Sequence, residues 1–205
     1  YQAGRDAVAG FKRTYKGEIA EEIYTKLDQA DFSVELARVR SLAPDAIFQF
    51  HPGGAGINLT KQFANSGLDG KIKMITPIYS MDERMLAATG TAGKGFYLSS
   101  LWSADLDNPQ NKHFVQAFTQ AYNRAPTAYA AQAYDTANLI GTALKAAGGD
   151  IAGKPDAFRD ALRRADFPSV RGKFKFGPNQ HPVQDWYLLH IEAGPDGKLS
   201  TRTSR

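Results

Sequence analysis

The chain has 205 residues, 42% of them hydrophobic and 11% aromatic, enough to bury a sizeable core in one domain or in two small ones. Its formal net charge of +4 is dispersed: Arg38 and Arg40, Lys71 and Lys73, and Arg163 and Arg164 fall beside carboxylates or in amphipathic stretches, which speaks against a continuous nucleic-acid-binding surface. The lack of cysteine excludes disulfides, thiolate metal sites and cysteine nucleophiles, and no run approaches the roughly 20 apolar residues of a membrane span.

Residues 1–6 have neither the charged start nor the apolar run of a signal peptide, and an amphipathic pattern begins almost at once. The chain reads as though it opens in mid-fold, so a segment upstream is expected. Ala7, Val8, Phe11 and Tyr15 recur at helical spacing and predict a helix over 5–15, opening at Gly4 and stopped by Gly17. Residues 19–24 read as a strand. Asp31 is a candidate N-cap for a helix whose apolar face is Phe32, Leu36, Val39 and Leu42, closed by Pro44. A short buried strand follows over 46–50. The turn His51-Pro52-Gly53-Gly54 leads into a helix carrying Ile57 and Phe63 that ends at Gly67, and 72–76 is the next strand. Helices alternating with short apolar strands predict an α/β protein with a mainly parallel sheet, whose ligands meet the loops at the C-terminal ends of the strands.

Beyond Gly95 the pattern changes. A strand over 96–101 and a polar connection over 102–111 precede two helical stretches, 113–122 and 129–147. The last third holds a helix over 155–164, a Gly- and Pro-rich passage and a strand over 186–191. The turn Pro195-Asp196-Gly197 and a polar tail close the chain.

No catalytic apparatus is legible. G-x-S-x-G is absent, and His51, His113, His181 and His190 are scattered without metal-ligand spacing. Glu21 and Glu22 are adjacent, so on a strand they point to opposite faces, and they read, like Asp105 and Asp107, as surface charge. Gly53-Gly54-Ala55-Gly56 invites a phosphate-loop reading, but the dinucleotide pattern needs glycine where Leu59 stands, and no Gly-Lys-Ser/Thr occurs. What survives is a tight turn, or backbone N–H groups open to a carboxylate or carbonyl oxygen. The expectation is no cofactor, no metal, no catalytic residue and no nucleic-acid partner.

Several segments in order carry a resemblance. Tyr1-Gln2-Ala3-Gly4, then Asp31-Phe32-Ser33, Pro44-Asp45-Ala46-Ile47-Phe48 and Lys61-Gln62-Phe63-Ala64-Asn65-Ser66-Gly67-Leu68, resemble the branched-chain amino acid type of extracellular solute-binding protein of ABC importers. Gly95-Phe96-Tyr97, Pro126-Thr127-Ala128-Tyr129, Ala133-Tyr134-Asp135-Thr136-Ala137 and Asp185-Trp186-Tyr187-Leu188 continue it over nearly the whole chain. The resemblance implies a type I periplasmic-binding-protein fold with parallel sheets flanked by helices, in which two lobes close on a small molecule and deliver it to a membrane permease. It implies a periplasmic location and a non-enzymatic role. By the same resemblance 1–101 is lobe two, 102–184 the helical part of an incomplete lobe one with crossing segments, and 185–205 the return strand to lobe two and the tail. Without the missing lobe-one segment, the apolar faces carrying Leu139, Ile140 and Leu144 are expected to favour self-association.

Family pockets take lobe-two contacts from three loops, which here are Tyr1-Gln2-Ala3-Gly4, His51-Pro52-Gly53-Gly54 and Thr76-Pro77-Ile78-Tyr79-Ser80. The candidate ligand-binding residues are therefore Tyr1, Ala3, His51, Pro52, Gly53, Gly54, Pro77, Ile78 and Tyr79, with Trp102 beside a crossing strand. Ala3 and Pro52 stand where amino-acid binders often carry aromatic side chains, and no Asp or Glu occurs between Lys71 and Met81. A buried ammonium without a carboxylate partner is costly, so an aromatic acid of benzoate or phenylpropanoid type is favoured over a zwitterionic amino acid. A branched-chain amino acid or amide ligand, or a ligand-sensing domain of the same fold, is the alternative.

Overall fold

The structure, a computed structural model, describes residues 1–204. The chain separates into two compact units, the first comprising residues 1–99 and 188–201 and the second 100–187 and 202–205.

In unit 1, helices α1 (Gln2–Thr14), α2 (Ser33–Leu42), α3 (Gly54–Asn65) and α4 (Glu83–Thr89) accompany strands β1 (Ala46–Phe48), β2 (Lys73–Pro77) and β3 (Tyr97–Ser100). β1 pairs with β2 in parallel, Ile47 opposite Met74, and β2 with β3, Thr76 opposite Leu98. With β4 (Phe174–Phe176) and β5 (Pro182–Gln184) lying in unit 2, the sheet is completed by β6 (Tyr187–Ala193) and β7 (Leu199–Thr203), in the order β1-β2-β3-β6-β7. Helices flank a mostly parallel sheet, as the alternating pattern predicts. Its core is Phe32, Phe63, Met74, Phe96, Leu98, Leu189 and Ile191, all at most 2% exposed. Phe63 meets Phe96 edge to face, with centroids 5.8 Å apart. Asp31 stands one residue ahead of the cap position of α2, which Phe32 occupies, and its carboxylate accepts from the Ser33 N–H at 2.9 Å.

Two expectations are corrected. Residues 19–24 form no strand: among the described residues no backbone-to-backbone hydrogen bond reaches residues 17–25. A strand is defined by its ladder, and this segment has the composition of one without a neighbour to pair with. Residues 199–203, expected as a polar tail, form β7. A turn closed by Gly194 N–H donating to the Lys198 carbonyl at 2.8 Å brings them back beside β6, with Thr201 buried.

Unit 2 contains α5 (Pro109–Tyr122), α6 (Ala128–Ala146), α7 (Pro155–Arg164) and the antiparallel pair β4 (Phe174–Phe176) and β5 (Pro182–Gln184). Side-chain caps start two of the helices, Asn108 accepting from Asn111 N–H and Thr127 from Ala130 N–H. Asp135, fully buried on α6, accepts from Ser169 Oγ at 2.6 Å, Val170 N–H at 2.9 Å and Arg171 Nε at 2.7 Å. The Arg171 guanidinium also lies over the Phe174 ring and donates to Gln184 Oε1. This network fixes the irregular 169–171 segment on α6.

Candidate functional site

At the C-terminal end of β1 the apolar run Ala46-Ile47-Phe48 gives way to Gln49, which continues the ladder by donating its N–H to the Ile75 carbonyl at 3.0 Å. Its amide side chain is buried, so all its polar atoms need partners. Nε2 donates to Thr76 Oγ1 at 2.8 Å, and Thr76 Oγ1 donates to the Pro77 carbonyl at 3.2 Å. Gln49 Oε1 faces His51 Nδ1 at 3.0 Å, and His51 Nε2 lies 2.9 Å from Thr25 Oγ1. Because the Gln49 oxygen only accepts, His51 carries its proton on Nδ1, and the Thr25 hydroxyl donates to Nε2. Burial pushes the His51 pKa below its ordinary value, with the Glu35 charge opposing, which suits a neutral ring. The result is a one-way relay, Thr25 to His51 to Gln49 to Thr76 to the Pro77 carbonyl, tying together the loops after β1 and β2.

The loops are also joined through the backbone. His51 N–H donates to Ser80 Oγ at 3.0 Å, and the first turn of α3 packs against both. Gly56 is required for that approach: a Cβ there would stand 2.2 Å from the His51 carbonyl oxygen and 2.7 Å from that of Ser80. Gly53 precedes α3 at φ 61°, a backbone region that favours glycine. Gly53 and Gly54 are exposed, and no side chain caps the helix, so its first N–H groups are open to a carboxylate oxygen.

A cavity of about 600 Å³ borders these loops within unit 1. Residues 18–27 and 44–52 form two of its walls, and Val8 and Phe11 of α1 and Leu36 and Val39 of α2 contribute apolar side chains. Of the expected ligand residues, Tyr1, His51 and Pro52 line it. The Tyr1 ring lies 6.4 Å from that of Phe50, and His51 meets Phe32 edge-on at 5.3 Å. With both nitrogens engaged, His51 offers a bound molecule its ring rather than a polar atom. Ala3 is exposed on α1 and is not part of the cavity wall. Pro77 and Tyr79 are half-buried beside the relay, while Ile78 is fully buried in the core. Trp102 belongs to unit 2, where it is fully buried, its Nε1 donating to Asn111 Oδ1 at 2.6 Å and its ring edge-on to Phe114.

Sequence reasoning named Thr76 and Gly56 only as members of their loops and missed Gln49 and Thr25. Gln49 carried a usable signal, a polar residue closing an otherwise apolar strand; the hydroxyls of Thr25 and Thr76 carried none. Among the described residues no group of three or more His, Cys, Asp or Glu is placed to hold a metal ion, and no helix is long and apolar enough to cross a membrane.

No curated protein sequence matches the chain. A solute-binding protein of an ABC transporter from Rhodopseudomonas palustris BisB5, solved with 3,4-dihydroxybenzoic acid, is 36% identical with a TM-score of 0.82, over 100% of this chain and 57% of that one. A second, from R. palustris and solved with benzoate, is 33% identical with a TM-score of 0.88, over 99% of this chain and 55% of that one. A branched-chain amino acid transporter substrate-binding protein from Streptococcus pneumoniae, solved with isoleucine, shares the fold at 23% identity and a TM-score of 0.80, over 98% and 56%. The chain thus spans little more than half the length of these relatives. Residues 1–198 match the family described as periplasmic binding protein. A mostly parallel sheet with its loops tied at the strand ends, a fit to those structures and a family match over almost the whole chain agree: this chain belongs to the periplasmic binding protein family, with the type I fold.

Proposed function

We propose that the chain is part of the extracytoplasmic solute-binding component of an ABC importer, and that its ligand is an aromatic acid of the benzoate or phenylpropanoid class. The observation that carries the ligand class is the chemistry of the loops after β1 and β2. Residues 49–54 and 71–80 contain no carboxylate, and burial of the His51 ring within its relay disfavours its protonated form. A zwitterionic amino acid would leave its ammonium without a counter-charge on these loops, whereas an aromatic acid asks only for ring surface and donors to its carboxylate. His51, Tyr1 and Tyr79 supply rings, and the exposed Gly53-Gly54 start of α3 supplies N–H groups. The relatives solved with benzoate and 3,4-dihydroxybenzoic acid support the same class.

In this reading 1–101 and 185–205 belong to lobe two and 102–184 to lobe one, completed by further residues of the longer protein. Ligand favours the closed form by making contacts available only there, and a permease takes up the cargo without any bond being broken. The test is a thermal-shift screen of the full-length protein against benzoate, 4-hydroxybenzoate, isoleucine and short amides. At about 100 times Kd a ligand adds about 2.7 kcal/mol of stability. Stabilisation by the aromatic acids alone is expected; stabilisation by isoleucine or an amide alone would overturn the ligand class and leave the family assignment intact.

A further inference from the structure

We propose that Gln49 is a specificity-determining positioning residue: its buried amide orders the hydrogen bonds of the His51 ring so that the ring meets a bound ligand as an apolar aromatic wall and not as a polar contact. This rests on the loops after β1 and β2 being ligand loops, as in the proposed function; Gln49 acts only through His51.

A buried amide is not what this position needs for folding. Gln49 is 5% exposed between Phe48 and Phe50, and its backbone N–H already serves the ladder, so an apolar side chain would pack there without the cost of desolvating an amide. The partners that its side chain finds lie on the two loops, His51 after β1 and Thr76 at the end of β2. Its polarity therefore serves the loops and not the strand.

The direction of these bonds has one solution. Thr76 Oγ1 gives its proton to the Pro77 carbonyl, so toward Gln49 it accepts, and of the two amide atoms only Nε2 can donate to it. That turns Oε1 toward the ring, where it can only accept, and the His51 proton sits at Nδ1. Nε2 is left to accept from the Thr25 hydroxyl. A carboxylate at residue 49 could not donate to Thr76, and an apolar side chain would leave the Nδ1 proton without a partner; the amide supplies both an acceptor and a donor. Gln49 and Thr25 hold the ring at its two nitrogens, Phe32 meets it edge-on, and the His51 backbone N–H is fixed on Ser80. Among the described residues Glu35 is the charge that acts on the ring, and its carboxylate accepts from Gln29 Nε2 at 2.9 Å. The half-buried ring, with both nitrogens taken, has carbon surface left for a ligand.

The experiment uses the full-length protein and the variant Gln49→Met, which keeps the length of the side chain and removes its hydrogen bonds. Two-bond proton–nitrogen correlation spectroscopy at about pH 8, above the ordinary imidazole range, reports which nitrogen of His51 is protonated, the signal being assigned by its loss in His51→Gln. Calorimetry gives the affinities for benzoate and for cyclohexanecarboxylate, which has the same charge and no aromatic ring. The expected result is a proton on Nδ1 in the wild type and on Nε2 in Gln49→Met, where Thr25 becomes the acceptor, with the ratio of benzoate to cyclohexanecarboxylate affinity falling at least about threefold. A proton retained on Nδ1 in the variant, or a moved proton with an unchanged ratio, would overturn the role of Gln49 while leaving benzoate binding in place. A wild type that does not bind benzoate would remove the ligand class itself, and the role of Gln49 with it. Should Gln49→Met fail to fold, the smaller Gln49→Leu is read in the same way.

Discussion

Residues 169–171 and residues 17–25 are both outside regular structure, yet their polar groups fare differently. In the first segment Ser169 Oγ, the Val170 N–H and Arg171 Nε all converge on the buried Asp135 carboxylate, and the Arg171 carbonyl accepts from Tyr187 Oη. In the second, a stretch carrying Ile19, Ile23 and Tyr24 among three glutamates makes no backbone-to-backbone hydrogen bond among the described residues and is held by its side chains. Lys12 pairs with Glu22, Arg38 with Glu21, and Thr25 meets His51. Irregular chain is self-sufficient when its partners lie on a neighbouring helix; strand-like chain is not, because its partners must come from another strand.

The largest expected effect is at the self-sufficient segment. Asp135→Ala leaves Arg171 buried without its counter-charge and is expected to cost about 3–5 kcal/mol of stability, measured by denaturant unfolding of the full-length protein. A loss below about 1 kcal/mol would mean that the segment is held by something other than this carboxylate. Next comes Gly56→Ala. Its Cβ cannot sit 2.2 Å from the His51 carbonyl oxygen, so α3 must shift away from the loops after β1 and β2. The expected cost is about 1–3 kcal/mol, with weaker ligand binding by titration, whereas the same change at the exposed Gly54 should leave both nearly intact. The smallest effect is a pH dependence. The folded pKa of His51 lies below the ordinary 6.5, so between these values the unfolded chain binds a proton that the folded chain refuses. The contribution is fully present above pH 6.5 and is lost as pH falls through the folded pKa. His51→Gln is expected to remove this component from the stability profile, and an unchanged profile would show that His51 titrates normally.

Much of this architecture was legible beforehand. Phe32, Leu36 and Val39 at helical spacing, followed by the apolar run at 46–48, announce a helix and a buried strand from local periodicity alone, and the same reasoning finds α3, α5, α6 and α7. It fails at 19–24 because pairing depends on a partner that the segment itself does not encode. It fails at 199–203 for the converse reason, since Ser200, Thr201 and Arg202 look like tail until β6 offers them a ladder. At the site, the resemblance nominates His51 and Pro52, which line the cavity, and Trp102, whose indole N–H is committed to Asn111. The relay was not legible, because Thr25, His51 and Thr76 are brought together only by folding.

The most direct test of the account is calorimetric titration of the full-length protein with 4-hydroxybenzoate and, separately, isoleucine. Saturable binding of 4-hydroxybenzoate with no heat from isoleucine is the predicted result. Saturable binding of isoleucine with none of the aromatic acid would contradict the pocket chemistry inferred from residues 49–54 and 71–80.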